Sequence, residues 1–133
     1  MIIYFDGYCL GRNPSPIGGG YSVVNKKGKL LKHERINKVS FTNNEAELLG
    51  AFSAVGIAKP YDTIVTDSQI IIHWIWNGQT SSRADLDEMC KGLKEEILKK
   101  QINLAWLPRK YNLAGHYNEQ FETKEEPATL RHW

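Results

Sequence analysis

The ten residues Gly11-Arg12-Asn13-Pro14-Ser15-Pro16-Ile17-Gly18-Gly19-Gly20 decide how the front of this chain can fold. Their glycines and prolines forbid a helix and favour a tight loop. Runs of strand character flank them. Residues 1–6 are apolar, β-branched and aromatic, stopping at Asp6-Gly7, and Tyr21 to Val24 resumes the pattern. Asn25-Lys26-Lys27-Gly28 marks a hairpin, and residues 29–38 return as a third strand. The first third is therefore expected to be an antiparallel meander.

Beyond it the period of the pattern changes. Thr42-Asn43-Asn44-Glu45 has capping-box spacing, which accounts for Glu45 as a cap. Leu48, Leu49, Phe52 and Val55 follow at helical intervals, ending near Gly56. Thr63 to Thr66 reads as a brief strand closing at Asp67, and residues 69–76 as a short helix ended by Asn77-Gly78. Ser82 with Asp85 has the spacing of a second capping box, leading into the stripe Leu86, Met89, Cys90, Leu93 and Ile97. Ile102, Leu104 and Trp106 alternate as a last strand, and a final helix runs from after Asn112 toward Glu122. The polar tail from about residue 123 is expected to fray. The order βββ-α-β-α-α-β-α predicts an α/β fold, with an antiparallel system joined to parallel strands through helical crossovers.

A chain of 133 residues is expected to form a single domain, residues 1–133, with a core that needs no disulfide staples. The net charge is only +2, so a nucleic-acid partner has to be argued from where charges sit. Two cysteines, Cys9 and Cys90, suit a reducing compartment. The first residues lack the basic and long apolar stretches of a signal peptide, and no apolar run is of membrane-spanning length. A cytoplasmic location is the expectation.

The chemistry lies in the acids. Asp6 and Asp67 fall at the C-terminal ends of predicted strands, the edge where open α/β sheets bind ligands. Either one alone reads better as a turn residue. Glu47 changes the balance, because it sits in the second helical turn at the margin of the apolar face, where a carboxylate is costly unless it meets a cation. Three converging acids would bind a hard divalent ion, Mg²⁺ or Mn²⁺. Two such ions suit phosphodiester displacement, a reaction that needs carboxylates and no nucleophilic Ser. The chain has no P-loop, no paired-Cys zinc spacing and no G-x-S-x-G elbow.

Taken together, four segments resemble the type 1 ribonuclease H family. They are Tyr4-Phe5-Asp6-Gly7-Tyr8-Cys9-Leu10 with Asn13-Pro14 and Gly18-Gly19-Gly20-Tyr21; Thr42-Asn43-Asn44-Glu45-Ala46-Glu47-Leu48; Thr66-Asp67-Ser68-Gln69; and Trp106-Leu107-Pro108-Arg109 with Asn112. The resemblance implies a ribonuclease H-like, five-stranded mixed sheet flanked by helices. It implies a metal-dependent endonuclease acting on RNA–DNA hybrids, with Asp6, Glu47 and Asp67 at three of four catalytic carboxylate positions. It also implies that Asn13, Thr42, Asn43, Asn44 and Gln69 line the hybrid groove, where amides and hydroxyls can meet 2′-hydroxyls without reading sequence. Asn13 is equally a turn residue, and Thr42 is equally a cap.

At the fourth position the sequence departs from the family, which has Asn and then an Asp four residues later. Counting from Asn112 reaches His116. Glu119 lies one turn on and could lean back to the same spot; Glu122 fits if the count starts at Asn118. His116 ranks first by register, Glu119 second by chemistry, Glu122 third. A neutral His there would favour Mn²⁺ over Mg²⁺.

Where the family's larger members carry a basic protrusion, Asn77 to Arg83 is short. Trp74 and Trp76 precede it, either able to stack on a sugar or to pack in the core, and Trp74 joins the candidate substrate contacts. Arg109 and Lys110 are candidates for phosphate contact, whereas Lys91, Lys94, Lys99 and Lys100 read as a solvated helix face. The expected partner is an RNA–DNA hybrid bound by a monomer, with no membrane and no obligatory protein partner. The alternatives are a hybrid-binding module of the same fold with weakened catalysis, or a related DNA nuclease.

Overall fold

A computed structural model of the chain describes residues 1–80 and 82–124. A central five-stranded sheet is ordered β3-β2-β1-β4-β5, with β1 at Ile2–Cys9, β2 at Gly18–Asn25, β3 at Leu30–Asn37, β4 at Thr63–Thr66 and β5 at Asn103–Trp106. β1, β2 and β3 pair antiparallel; β4 pairs parallel with both β1 and β5. The mixed sheet and the element order expected from the sequence are both present.

Four helices cover it: α1 (Asn43–Ile57), α2 (Gln69–Asn77), α3 (Asp87–Lys100) and α4 (Leu113–Lys124). Strand alternation sorts them. Ile3 and Phe5 of β1 join Tyr21, Val23 and Ile64 beneath Leu48, Ala51, Ile71, Ile75, Leu93 and Ile97 of α1–α3. Each buried Val, Leu, Ile and Phe side chain among them contributes roughly 1.5–3 kcal/mol. Tyr4 points the other way, with Val24 and Val65, toward Ala114 and Tyr117 of α4. Asp6 shares that second face by parity, and Gly7 faces α1.

Several local expectations are corrected. β1 does not stop at Asp6-Gly7, because its ladder with β2 continues to Cys9 opposite Gly19. Asp6 is therefore inside a strand. Thr42 does cap α1, its Oγ1 accepting from the Glu45 N–H at 3.1 Å. The Glu45 carboxylate, however, goes to Lys38 and Arg83. The Ser82–Asp85 box does not form. Residues Ala84–Leu86 make a 3₁₀ turn, Asp85 pairs with Arg83 at 2.8 Å, and Asp87 takes the Thr80 N–H at 2.8 Å and its hydroxyl at 3.1 Å. α2 ends as read, on Gly78 in the left-handed conformation (φ 71°) that only glycine adopts freely. Of the tail expected to fray from about residue 123, residues 123 and 124 continue α4, and the rest lies outside the described residues.

Candidate active site

Asp6, Glu47 and Asp67 meet where β1, α1 and β4 converge, each offering a carboxylate oxygen within 4.8 Å of the others. Among the described residues no other group of His, Cys, Asp and Glu does this. Backbone contact sets the spacing between β1 and α1. A Cβ on Gly7 would stand 2.4 Å from the Ala46 carbonyl carbon and 2.5 Å from the Glu47 nitrogen, so only glycine lets the helix sit so close. Asp67 follows the last residue of β4; the Trp106 indole N–H donates to its carbonyl at 3.0 Å, fixing its backbone.

The electrostatics are those of acids held together without enough compensation. Asp6 is fully buried, and burial pushes its carboxyl up to about 6 against the lowering effect of Arg109. Glu47 is raised well above the ordinary carboxylate range, first by burial and then by the Asp6 charge. Its Oε1 is buried with no hydrogen-bond partner. An unpartnered carboxylate oxygen aimed into a cluster of acids is what a hard cation would complete, and an all-oxygen donor set suits Mg²⁺ or Mn²⁺. The residues fit a divalent ion.

In this structure a guanidinium supplies part of that charge. Arg109 places Nη1 at 3.3 Å from Asp6 Oδ1 and 3.8 Å from Asp67 Oδ2, while Nη2 lies 3.2 Å from Glu122 Oε2. Burial alone would lower the Arg109 pKa, but Asp6, Glu122 and Asp67 hold it charged. Arg109, read from sequence as a phosphate contact, thus packs against the acids themselves.

The fourth position differs from all three rankings. His116 is turned to the backbone, with Nε2 2.6 Å from the Lys110 carbonyl and Nδ1 3.3 Å from Glu119. That carbonyl, and then Glu119, raise its pKa. His116 and Glu119 pair with each other at the exposed side of α4 and stand outside the group formed by Asp6, Glu47 and Asp67. Glu122, ranked third, is tied to the cluster through Arg109, whose Nη2 donates to its Oε2 at 3.2 Å.

What α4 and its approach bring to the acids instead is two buried asparagines. Asn112 donates from Nδ2 to Asp67 Oδ2 (3.0 Å) and to the Phe5 carbonyl (3.1 Å), while its Oδ1 accepts from the Ala114 N–H (3.0 Å) as the cap of α4. Asn118 donates to Asp6 Oδ2 and to the Asp6 carbonyl, both at 3.0 Å. Sequence reasoning quoted Asn112 in a motif without giving it a task, and gave Asn118 none. A signal for Asn118 was available. Ala114, Tyr117 and Phe121 mark the sheet-facing stripe of α4, and Asn118 sits on that stripe at the spacing of a core residue.

The structure brings some of the candidate substrate residues together. The Asn13 side chain bridges loop and helix, its Oδ1 accepting from the Asn43 N–H at 3.0 Å. Asn44 and Gln69 line one shallow groove of about 460 Å³ with Ile70, His73, Trp74 and Ser82. Trp74 is only 3% exposed and packs with Ile71 and Ile75, so it is a core residue showing an edge at the groove, not an open stacking platform. Trp76, at 39%, is the exposed one. Lys110 lies over the Tyr111 ring, 5.1 Å from its centre. Cys9 and Cys90 are free thiols, and no helix among the described residues is long and apolar enough to cross a membrane.

Comparison with known proteins gives one answer. The ribonuclease H family model matches residues 1–122. A ribonuclease H of Afipia carboxidovorans is 31% identical over 125 residues, spanning 87% of this chain and 80% of that protein. One from Rhodopseudomonas palustris is 37% identical over 111 residues, spanning 79% of this chain and 68% of that protein. Among solved structures, RNase H1 of the halophilic archaeon Halobacterium salinarum superposes with a TM-score of 0.64 at 20% identity, over 93% of this chain and 95% of that one. LC11-RNase H1, isolated from compost and solved in complex with an RNA/DNA hybrid, superposes with a TM-score of 0.63 at 20% identity, over 97% and 98%. The structural likenesses show the fold, and the sequence matches show the family: this chain belongs to the ribonuclease H family of nucleases.

Proposed function

We propose that this chain hydrolyses the RNA strand of RNA–DNA hybrids, with Asp6, Glu47 and Asp67 holding two divalent ions, Mg²⁺ or Mn²⁺. The observation that carries the reading is the meeting of three acids within 4.8 Å, one of them with a buried and unpartnered oxygen. Bound ions at such a site supply an activated water and a stabilised leaving oxygen, giving 5′-phosphate and 3′-hydroxyl ends. The chain's own residues prepare the site. Asn112 and Asn118 each hold one carboxylate oxygen of Asp67 and Asp6 through a hydrogen bond. Arg109 neutralises part of the acids' charge and lies where a scissile phosphate beside them would meet it. Asn13, Thr42, Asn43, Asn44 and Gln69 offer amides and hydroxyls along the rim, suited to a backbone bearing 2′-hydroxyls. LC11-RNase H1, which shares the fold, binds an RNA/DNA hybrid, in keeping with this substrate.

The test is to incubate purified protein with Mg²⁺ or Mn²⁺ and labelled RNA–DNA hybrid, double-stranded RNA or double-stranded DNA. Cleavage of the RNA in the hybrid alone, abolished in Asp6→Asn, is the expected outcome. A second reading, a hybrid-binding module with weakened catalysis, is favoured by one observation: among the described residues, α4 adds no acid to the cluster. Tight hybrid binding with no product under either metal would select it.

A further inference from the structure

Resting on the metal-binding reading above, we infer that α4 serves the site through Asn118, a positioning residue that sets the orientation of the Asp6 carboxylate, with Ser22 fixing the amide. Asn118 and Ser22 are both fully buried. The Ser22 hydroxyl donates to Asn118 Oδ1 at 2.5 Å. The Asn118 Nδ2 then spends its two hydrogens on the Asp6 carbonyl and on Asp6 Oδ2, each at 3.0 Å. All these side-chain groups are matched, donor to acceptor, in a place where water cannot substitute.

The orientation of the amide follows from that matching. Flipped, Asn118 would present its carbonyl oxygen to the Asp6 carboxylate, lone pair against charge, and its NH₂ to Ser22. The Asp6 carbonyl and carboxylate can only accept, which makes the productive orientation the stable one, and the Ser22 hydroxyl completes it by donating to Oδ1. Ser22 lies directly opposite Asp6 in the β1–β2 ladder, so a strand neighbour and a helix hold one carboxylate between them. Asn118 engages Asp6 Oδ2, and Arg109 Nη1 reaches both carboxylate oxygens, 3.3 Å from Oδ1 and 3.4 Å from Oδ2. Hydrogen bonds to the outer side of a metal-ligating carboxylate fix its rotamer before any ion arrives, and such partners commonly govern ion affinity. A neutral amide also does this without adding a further negative charge to acids already raised by burial and by one another.

The experiment compares Asn118→Leu, Ser22→Ala and Asp6→Asn with the unaltered chain. Mn²⁺ affinity is measured by calorimetry without substrate, and kcat and KM are measured on hybrid. Asn118→Leu is expected to weaken Mn²⁺ binding by about tenfold and to lower kcat to a similar degree, with hybrid KM within about twofold. Ser22→Ala should move both quantities the same way by a smaller factor, about threefold. Unchanged Mn²⁺ affinity in a folded Asn118→Leu overturns the inference, even if its melting temperature falls. Should that variant fail to fold, unchanged affinity in Ser22→Ala overturns it equally. Asp6→Asn separates the two levels: if it loses Mn²⁺ while Asn118→Leu does not, the carboxylate site stands and the role of Asn118 falls. If Asp6→Asn binds Mn²⁺ normally, the metal-binding reading falls as well.

Discussion

α1 and α4 reach Asp6 from opposite faces of β1 and bring opposite things. From α1 comes Glu47, an acid with one buried oxygen that nothing among the described residues satisfies. From α4 comes Asn118, whose every polar group is matched. One side stores an unfavourable interaction that a cation would relieve; the other holds its partner still at no electrostatic cost. A binding site needs both, because an acid free to turn away would escape the repulsion instead of recruiting an ion.

The largest effect should come from removing the α1 contribution. Glu47→Gln is expected to reduce hybrid cleavage by more than about a hundredfold, beyond what outer hydrogen-bond partners typically cost. The same change should raise the melting temperature of metal-free protein, because it removes the cost of burying one acid beside two others. Lower activity together with lower stability would break the comparison, since it would make Glu47 an ordinary structural acid.

A smaller effect should appear in the pH dependence of metal-free stability. The folded Asp6 holds its proton up to about pH 6, whereas the unfolded chain releases it near 3.8. Between those values the native state binds more protons, so stability falls as pH rises through the window. Chemical denaturation should therefore show metal-free protein gaining on the order of 2 kcal/mol from pH 7 down to about pH 4.5. Saturating Mn²⁺ should flatten that slope by holding the carboxylates ionised. A slope of the opposite sign would mean that Arg109 outweighs burial.

The smallest effect sharpens where the α4 contribution ends. His116 and Glu119 pair with each other and with the Lys110 carbonyl. His116→Ala combined with Glu119→Ala is expected to change kcat and Mn²⁺ affinity by less than about twofold, as for an exposed ion pair. A tenfold loss would return the fourth ligand to one of these two.

These contrasts also mark what could be read from the sequence. Asp6, Glu47 and Asp67 were legible because acids at sheet edges and at the margin of an apolar helical face are hard to explain otherwise. The order of elements along the chain followed from turn residues and period, whereas the order of strands across the sheet came only with the structure. Asp6 was misplaced at a strand end because Asp-Gly is a common stop signal, and only the β2 ladder carries β1 past it. Register pointed to His116, but register counts residues along a helix and does not say which carbonyl will capture a side chain. Glu45 looked like a cap because spacing cannot foresee Lys38 and Arg83 arriving from other segments. Asn118 was legible in principle, as the polar member of an apolar stripe.

Gly7 carries a further consequence. The gap between Asp6 and Glu47 is set where main chain touches main chain, with the Ala46 and Glu47 backbone occupying the room a methyl would need. Main-chain contacts do not repack. The hydrophobic interior can drift in composition, swelling here and shrinking there, while the separation of these two acids keeps its calibration, as a hinge pin does when the door is replaced.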